Sequence, residues 1–155
     1  MTPKNDLEKL VSDRLIAILH DGGRLPDVQK ITPESKVQVK SPLIQVQVET
    51  AAPAPGFEGS NGGAGVFTVM GMLTVVTNRE DMQEGKLLEL AGIVRDLLLE
   101  EIRDELPMLN HIYPDGRVLK VWHMGIDPVA RGTDSEQGVD YRSFNLTMIA
   151  AVIEP

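Results

Sequence analysis

The chain has 155 residues and a formal net charge of −8, from 23 acidic and 15 basic side chains, and it contains no cysteine. This length predicts one domain, and the missing cysteines exclude a disulfide framework, a cysteine-ligated zinc site and a thiol nucleophile. An acidic chain with 4% aromatic residues is a poor candidate for nucleic-acid binding, which needs Lys and Arg against phosphates and rings against bases.

Residues 3–20 are predicted to form an amphipathic helix, which the glycines after His20 would end. Its apolar side chains recur at helical spacing and share one face: Leu7, Leu10, Val11, Ile18 and Leu19. Membrane-surface helices are rich in Lys and Arg, whereas this helix has few and belongs to an acidic chain. We therefore expect its apolar face to pack in the protein core, with no membrane partner.

Two long strands are predicted next, separated by a Pro- and Gly-rich segment. After a connector over residues 24–35, residues 37–48 alternate between apolar and polar side chains, and the alternation changes phase at Pro42. This phase change predicts a bulge or a junction between two strands. Residues 50–65 predict a flexible loop. Residues 66–77 then predict a central strand that is covered on both sides, because both of its faces are largely apolar.

A second helix is predicted to begin at a cap formed by Thr77 or Asn78 and to end at Pro107. Its core-facing side chains recur at helical spacing: Leu87, Leu90, Ala91, Val94, Leu97, Leu98 and Ile102. Further apolar side chains lie outside that stripe: Leu88, Ile93 and Leu99. The helix is therefore expected to contact more than the sheet, through the first helix or a neighbouring subunit. Glu101 interrupts the stripe, which predicts that the last turn extends past the core.

Two more strands complete the predicted fold. A turn at Tyr113–Gly116 precedes a strand whose apolar residues are expected to share one face: Val118, Trp122 and Met124. A polar loop over residues 125–140 then leads to a final strand over residues 141–153. Its core-facing residues alternate along the strand: Phe144, Leu146, Met148, Ala150 and Val152. The pattern predicts a single α+β domain of α-β-β-α-β-β order, with two helices packed on a mainly antiparallel sheet.

The sequence predicts no catalytic, cofactor-binding or metal-binding set. The three histidines, His20, His111 and His123, are far apart and lack metal-site spacing. The Gly-rich residues 56–65 lead into a strand and lack the Lys-Ser/Thr ending of a phosphate-binding loop. The acids of residues 134–140 do not match a calcium loop. We therefore expect neither an enzyme nor a resident cofactor.

Three segments together carry a resemblance to a known family. The first is the N-terminal helix DLEKLVSDRLIAIL, and the second is the strand and helix MLTVVTNREDMQEGKLLELAGIVRDLLLEE. The third is the closing pair of strands, VLKVWHMGIDPVARGTDSEQGVDYRSFNLTMIAAV. In element order and hydrophobic texture, over almost all of residues 1–155, the chain resembles phage tail terminator proteins of the minor tail protein U-like family.

This resemblance implies a structural virion protein. Members of the family form a ring, usually six-fold, that is stacked on the last ring of the tail tube. The ring stops tube polymerisation and contacts the head-completion proteins of the neck. The resemblance therefore implies a homo-oligomer, most often a hexamer, which assembles in the host cytoplasm and ends in the tail or neck of the virion. It implies no catalytic residue.

DNA would only pass through the lumen of such a ring. The formal charge of −8 suggests that acidic side chains line this lumen. Like charges repel one another over about a Debye length of 8–10 Å, so an acidic wall would discourage DNA from adhering as it passes. The hypothesis requires that the acids face the lumen and not only the outer rim of the ring.

A closed ring uses two different patches on each subunit. The candidate patches are the surplus apolar flank of the second helix and an exposed edge of the sheet. Candidate interface residues come from that flank, from the Gly-rich loop and from the second polar loop: Leu88, Ile93, Leu99, Phe57, Gly62, Gly63, Asp134 and Glu136. Other interpretations remain open at this level. The chain could be a different phage connector or baseplate subunit, or it could belong to another class, a small-ligand-binding protein or enzyme with a site between sheet and helices.

Overall fold

The computed structural model of the chain describes residues 3–20, 30–32, 43–53, 66–78, 84–134 and 139–153. Two helices and seven strands occur in this part of the chain: α1 (Pro3–His20), β1 (Lys30–Thr32), β2 (Leu43–Pro53), β3 (Val66–Asn78), α2 (Glu84–Arg103), β4 (His111–Ile112), β5 (Val118–Ile126), β6 (Ala130–Asp134) and β7 (Val139–Ile153). The predicted α+β class, with two helices and a mostly antiparallel sheet, is confirmed. The predicted element order is incomplete, because it lacks the short strands β1, β4 and β6.

The sheet is built around the long β3–β7 pair. Its strand order is β1-β2-β3-β7-β5-β4, and β6 pairs with β7 beside this path. β3 and β7 pair without a break from Val66↔Ala151 to Asn78↔Val139, and β2 pairs antiparallel with the other side of β3. These pairs confirm the predicted hairpin of the first two long strands and the central position of β3.

Two predicted loops contain strand residues. β1 falls within the predicted connector 24–35 and pairs parallel with β2 over Lys30–Thr32. β2 extends to Pro53, so the predicted loop 50–65 begins later than expected, and residues 54–65 lie outside the described chain. The phase change at Pro42 also lies outside it. Sequence periodicity misses β1 because three residues are too few to show alternation.

Both helices pack on one face of the sheet. α1 buries Leu7, Val11, Leu15 and Leu19, each at most 1% exposed. α2 contributes residues spaced by three and four positions, which together with the strand residues form one core: Leu87, Ala91, Val94 and Leu98. The strand side chains of this core alternate along β2, β3 and β7: Ile44, Val46, Val69, Leu73, Val75, Phe144, Leu146 and Met148. Neither described helix is both long and apolar enough to cross a bilayer.

The prediction that β3 is covered on both sides is wrong for the middle of the strand, although Val66 and Val76 near its two ends are buried on the second face as well, at 5% and 6% exposure. Leu73 and Val75 point toward the helices and are fully buried. Met70 and Met72 alternate with them and are 45% and 39% exposed. An apolar run predicts a strand buried on both faces, but here α1 and α2 lie on the same side, and we call the other side the helix-free face.

α2 begins later than predicted. Thr77 and Asn78 do not cap it, because they belong to β3 and pair with Asp140 and Val139 of β7. The Thr77 side chain is 1% exposed, as expected for a strand residue on the helix-covered face. The helix starts at Glu84, so its cap lies outside the described residues.

The C-terminus of α2 ends in a tight reversal ahead of Pro107. The N–H of Leu106 donates to the carbonyl oxygen of Glu101 at 2.8 Å, and the N–H of Glu105 donates to that of Ile102 at 3.2 Å. This pair of bonds is the Schellman arrangement, whose residue after the helix takes a left-handed conformation that usually belongs to glycine. Here Glu105 and Leu106 have φ of 68° and 60°, so two residues with side chains bear the strain of this conformation.

Glu101 is the residue that holds this reversal. It is 6% exposed, and its Oε1 accepts the N–H groups of Met108 at 2.7 Å and Leu109 at 2.8 Å. The prediction that Glu101 marks a turn extending past the core is therefore wrong. The carboxyl group is buried because it satisfies two backbone donors that the reversed chain carries into the interior.

A bulge in β5 overturns the predicted face of that strand. Leu119 and Val121 are buried, whereas Trp122 is 47% exposed. Val121 pairs with Ala150 and His123 with Ile149 of β7, so Trp122 is the additional residue of the bulge. An extra residue in one strand shifts the pairing beyond it, and Met124 is therefore in register with Met148 of β7.

The turn at Tyr113–Gly116 is confirmed. The N–H of Gly116 donates to the carbonyl oxygen of Tyr113 at 3.0 Å, and Gly116 has φ of 91°. The N–H of Arg117 donates to Asp115 Oδ1 at 3.0 Å. This backbone hydrogen bond lowers the pKa of Asp115, with smaller contributions from the Arg117 side chain. The negatively charged Asp115 side chain therefore stabilises the turn between β4 and β5.

Candidate functional site

A groove between α1 and β2 has a volume of about 700 Å³. β1 pairs with β2 only as far as Gln45, and beyond it no described strand adjoins the outer edge of β2. α1 lies beside this edge, and the Glu8 carboxylate accepts the N–H of Thr50 at 2.8 Å. The residues that line the groove also include Met70, Gly71 and Met72 of β3, the strand next to β2. We call this surface the α1–β2 groove.

The wall of the α1–β2 groove is acidic. Its charged side chains are Glu8, Lys9, Asp13 and Glu49. Lys9 Nζ and Asp13 Oδ2 are 3.0 Å apart and neutralise each other at the surface. The side chains of this ion pair are 65% and 53% exposed, so it contributes only about 0.3–0.5 kcal/mol to stability. Glu8 and Glu49 remain as the acids of the groove that are not offset by a lysine of its wall.

Two buried hydroxyl groups lie beside the same groove. Ser12 and Thr50 are each 8% exposed, and neither Ser12 Oγ nor Thr50 Oγ1 has a hydrogen-bond partner within the described chain. A buried hydroxyl group without a partner costs free energy, because it has lost its hydrogen bonds to water. Such a cost is tolerated more readily at a functional surface than in a core that serves stability alone.

We expect Ser12→Ala to raise the free energy of unfolding by about 1 kcal/mol, because it removes the unpaired hydroxyl group and adds helix propensity. Thr50→Val, which keeps the side-chain shape, should also be stabilising. Urea denaturation measures both. Asp13→Ala, an exposed position on the same helix, is the control and should change stability by less than about 0.5 kcal/mol. A loss of stability in Ser12→Ala would mean that the hydroxyl group forms a stabilising hydrogen bond.

The predicted apolar side of α2 is split into two. Leu88 is 53% exposed, Ile93 is 40% exposed, and Leu99 is half-buried. At 3.6 residues per turn, Leu88 and Leu99 lie within roughly 20° of each other, whereas Ile93 lies roughly 140° from Leu88. Leu88 and Leu99 therefore share one side of α2, whereas Ile93 lies on another, because five residues along a helix nearly reverse the direction of a side chain.

The Leu88 side of α2 faces the end of β5. On this side, Arg95 Nε donates to the carbonyl oxygen of Asp127 at 2.9 Å. A Cβ atom added at Gly92 would meet nothing within 4 Å, so this part of the helix surface is open within the described subunit. The exposure of Leu88 agrees with the prediction that α2 has apolar surface beyond its own core.

The β5 edge of the sheet has another exposed apolar surface, around Trp122. Trp122 lines a hollow together with two oppositely charged residues, Glu105 and Lys120, and with Ile102, Leu106, Asn110 and Val121. Asn110 Oδ1 accepts the N–H of Val121 at 2.7 Å, so a side chain occupies the strand edge next to the bulge. This hydrogen bond fixes the backbone beside Trp122.

The helix-free face has an apolar row at one end. Ile112 of β4 pairs with Val118 of β5, and Val118 pairs with Ile153 of β7. Directly paired residues share one face of a sheet, so these side chains lie in a row. Ile112 is 73% exposed and Ile153 is 48% exposed.

Of the remaining predicted interface residues, only Asp134 lies within the described chain. Phe57, Gly62, Gly63 and Glu136 lie outside the described residues. Asp134 ends β6, where its backbone pairs with Val139. The predicted polar loop 125–140 therefore contains a strand, which the polar sequence of β6 did not indicate.

Sequence reasoning missed three exposed residues: Met70, Met72 and Trp122. Met70 and Met72 lie in an apolar strand that periodicity treats as buried. Trp122 is the only tryptophan of the chain, but its outward direction depends on a bulge. No protein-family model matches this chain, and no curated protein matches it at a significant level. The fold and these surfaces define an α+β protein with exposed apolar residues on several separate faces.

Proposed function

We propose that the protein is a structural subunit that assembles into a ring, caps the head-proximal end of a phage tail tube and joins the tube to the neck. The observation that supports this proposal is the exposure of large apolar side chains on separate faces of the subunit. Leu88 and Ile93 are exposed on α2, and Met70 and Met72 on the helix-free face. A ring contact joins two different patches, so a subunit with several separate patches is suited to it.

Single exposed apolar residues are normal on protein surfaces, and grouped ones are more informative. Met70 and Met72 are next to each other on one face of β3, and Ile112 and Ile153 flank Val118 in one row. Contact with a partner would remove such groups from water, at about 25 cal/mol per Å² of apolar area. The assignment to a phage tail rests on the resemblance of the sequence, including its element order.

The partners in this proposal are sister copies, the tail tube protein and the head-completion proteins of the neck. The acidic composition supports a lumen through which DNA passes without adhering. Exposed acids on α2, such as Glu89 and Asp96, are available for such a wall. The mature location is the virion, with assembly in the host cytoplasm.

Solution mass and electron microscopy of the intact virion test the proposal. We expect native mass spectrometry to detect a closed ring, with six copies as the family expectation. In the virion, density for the chain should lie between the tube and the neck. A chain that stays monomeric at the highest accessible concentration and is missing from that position would overturn the proposal. A location in the baseplate or another connector would replace it with the related assignment.

A small-ligand-binding protein is the alternative from another class, and the α1–β2 groove is the observation that favours it. Its volume of about 700 Å³ lies in the range of ligand pockets. Ser12 would supply a hydroxyl group, and Glu8 a carboxylate. Native mass spectrometry separates the two classes, because a ligand-binding protein would be a monomer with added ligand mass.

A further inference from the structure

The outer edge of β2 directs backbone groups into the α1–β2 groove. Along a strand, every second residue points its N–H and C=O groups to the same side. The N–H of Thr50 donates to Glu8 of α1, so it points away from β3. β2 pairs with β3 without a register shift from Leu43 to Thr50. The N–H and C=O groups of Val46 and Val48, which line the groove, therefore point away from β3 as well.

Among the described residues, no strand pairs with this part of the β2 edge. β1 pairs with β2 only as far as Gln45, so Val46 and Val48 lie beyond its end. At β5, by contrast, a side chain closes the edge, since Asn110 accepts the N–H of Val121. Backbone groups that stay open along an edge are a template for pairing with a further strand. They specify an extended chain as the occupant of the groove.

The α1–β2 groove has side chains on both faces of the sheet. On the helix-covered face it is lined by Glu8 and Ser12 of α1, and Ser12 Oγ has no hydrogen-bond partner within the described chain. On the helix-free face Glu49 pairs with Met70, and both line the groove. A strand that is added to an edge places its side chains alternately on the two faces. The groove therefore offers contacts to both sets of side chains of an added strand.

The charges of the groove favour a basic occupant. Three of its four charged side chains are acids, namely Glu8, Asp13 and Glu49, and the fourth, Lys9, is paired with Asp13. Glu49 is exposed on the helix-free face. Met70 beside it is 45% exposed and offers apolar surface to the methylene stem of a lysine or arginine side chain. An extended chain with basic side chains on one of its faces is thus complementary to the groove.

We propose that the α1–β2 groove binds an extended peptide segment of a partner protein. The segment adds to β2 as a strand at Val46 and Val48 and places a lysine or arginine side chain against Glu49. In this mode of recognition, main-chain hydrogen bonds to the edge supply affinity, and alternate side chains supply specificity. The inference goes beyond the proposed ring, because it concerns the open edge of one subunit and does not require assembly.

Titration of the full chain with matched synthetic peptides tests the proposal. The probe is a blocked peptide of about six residues in which valine alternates with lysine, and the comparison peptide has glutamate in place of lysine. The wild type should bind the lysine peptide about 10-fold more tightly, because opposite charges attract across paired strands and like charges repel. In amide NMR spectra, the signals of Val46 and Val48 should shift on binding, and their hydrogen exchange should slow.

Charge-reversal variants identify the acid that selects the peptide. Glu49→Lys should bind the glutamate peptide more tightly than the lysine peptide. Glu89→Lys makes the same change in net charge at an exposed position on α2, so it is the matched control and should keep the preference of the wild type. Circular dichroism with thermal melting confirms that both variants are folded.

N-methylated peptides test the main-chain pairing separately from the charge. Two versions of the lysine peptide are methylated at alternate sets of backbone nitrogens. One version should bind about 10-fold more weakly or worse, and the other should keep most of its affinity, because only one set of amides faces β2.

Three results would overturn the inference. The first is a wild type that binds neither peptide or binds both equally, and the second is an equal loss of binding for the two methylated versions. The third is protection of the Val46 and Val48 amides in the free subunit as strong as that of Leu73, since the edge would then be paired without a partner. A ring that binds no peptide would leave the proposed function standing, whereas a monomer that binds the lysine peptide would support the groove and contradict the ring.

Discussion

Replacing Glu101 with alanine is expected to lower the free energy of unfolding by about 3 kcal/mol. The carboxyl group accepts the N–H groups of Met108 at 2.7 Å and Leu109 at 2.8 Å. Alanine would leave both donors without this acceptor in a buried site, where an unpaired N–H group costs about 1–3 kcal/mol. The left-handed conformations of Glu105 and Leu106 depend on the same reversal, so its loss should also release the chain after α2.

Urea denaturation and thermal melting measure this effect. At about 2–4 °C per kcal/mol for a chain of this size, the melting temperature should fall by about 6–12 °C. Glu101→Gln keeps an amide oxygen as acceptor, so a smaller loss is expected. Glu89→Ala, at an exposed position of the same helix, is the matched control and should stay within about 0.5 kcal/mol of wild type. A Glu101→Ala protein as stable as the control would mean that the two hydrogen bonds do not hold the reversal.

Replacing Leu73 with alanine is expected to cost about 3–4 kcal/mol of unfolding free energy. Leu73 is fully buried at the middle of β3, where it pairs with Val46 of β2 and Phe144 of β7. All three belong to the core beneath the helices. The loss combines the transfer energy of the removed methyl and methylene groups with the cost of a cavity that the central strands cannot close.

Met72→Ala is the matched control because Met72 is the next residue along the same strand. Its side chain is 39% exposed on the helix-free face, so the substitution should cost less than about 1 kcal/mol. Denaturant unfolding of the two variants measures the difference between the two faces of β3. Equal losses would contradict the one-sided cover at the middle of β3, since they would require Met72 to be as deeply packed as Leu73.

The difference between these two neighbours also bears on the proposed assembly. An exposed methionine contributes little to the stability of an isolated subunit, so its substitution can change association without unfolding the protein. The effect of a substitution on stability and its effect on association can therefore be measured separately within β3.

Local regularities made much of the fold predictable. α1 was predicted at its observed bounds because 18 residues are enough for helical periodicity to show. The core-facing residues of β7 were predicted from strict alternation, which the sheet pairing does not interrupt between Phe144 and Ala150. The turn at Tyr113–Gly116 followed from its residue types.

Errors arose where distant parts of the chain decide the outcome. Thr77 has the side chain of a helix cap, but pairing with Asp140 keeps it in β3. Glu101 has the appearance of a solvated acid, but the reversal after α2 carries two backbone donors to it. β6 is polar and becomes a strand because β7 offers a free edge beside it.

The amino-acid sequence by itself determined the class of the fold, the two amphipathic helices, the long strands and the acidic charge, because these depend on composition and on periodicity over neighbouring residues. Only the tertiary structure decided which surfaces stay open. Met72 is exposed because both helices pack on the other face of β3, and Trp122 turns outward because β5 gains one residue against β7. The exposure of a side chain depends on which elements pack against its face of the sheet, and the residues next to it in sequence do not determine that packing.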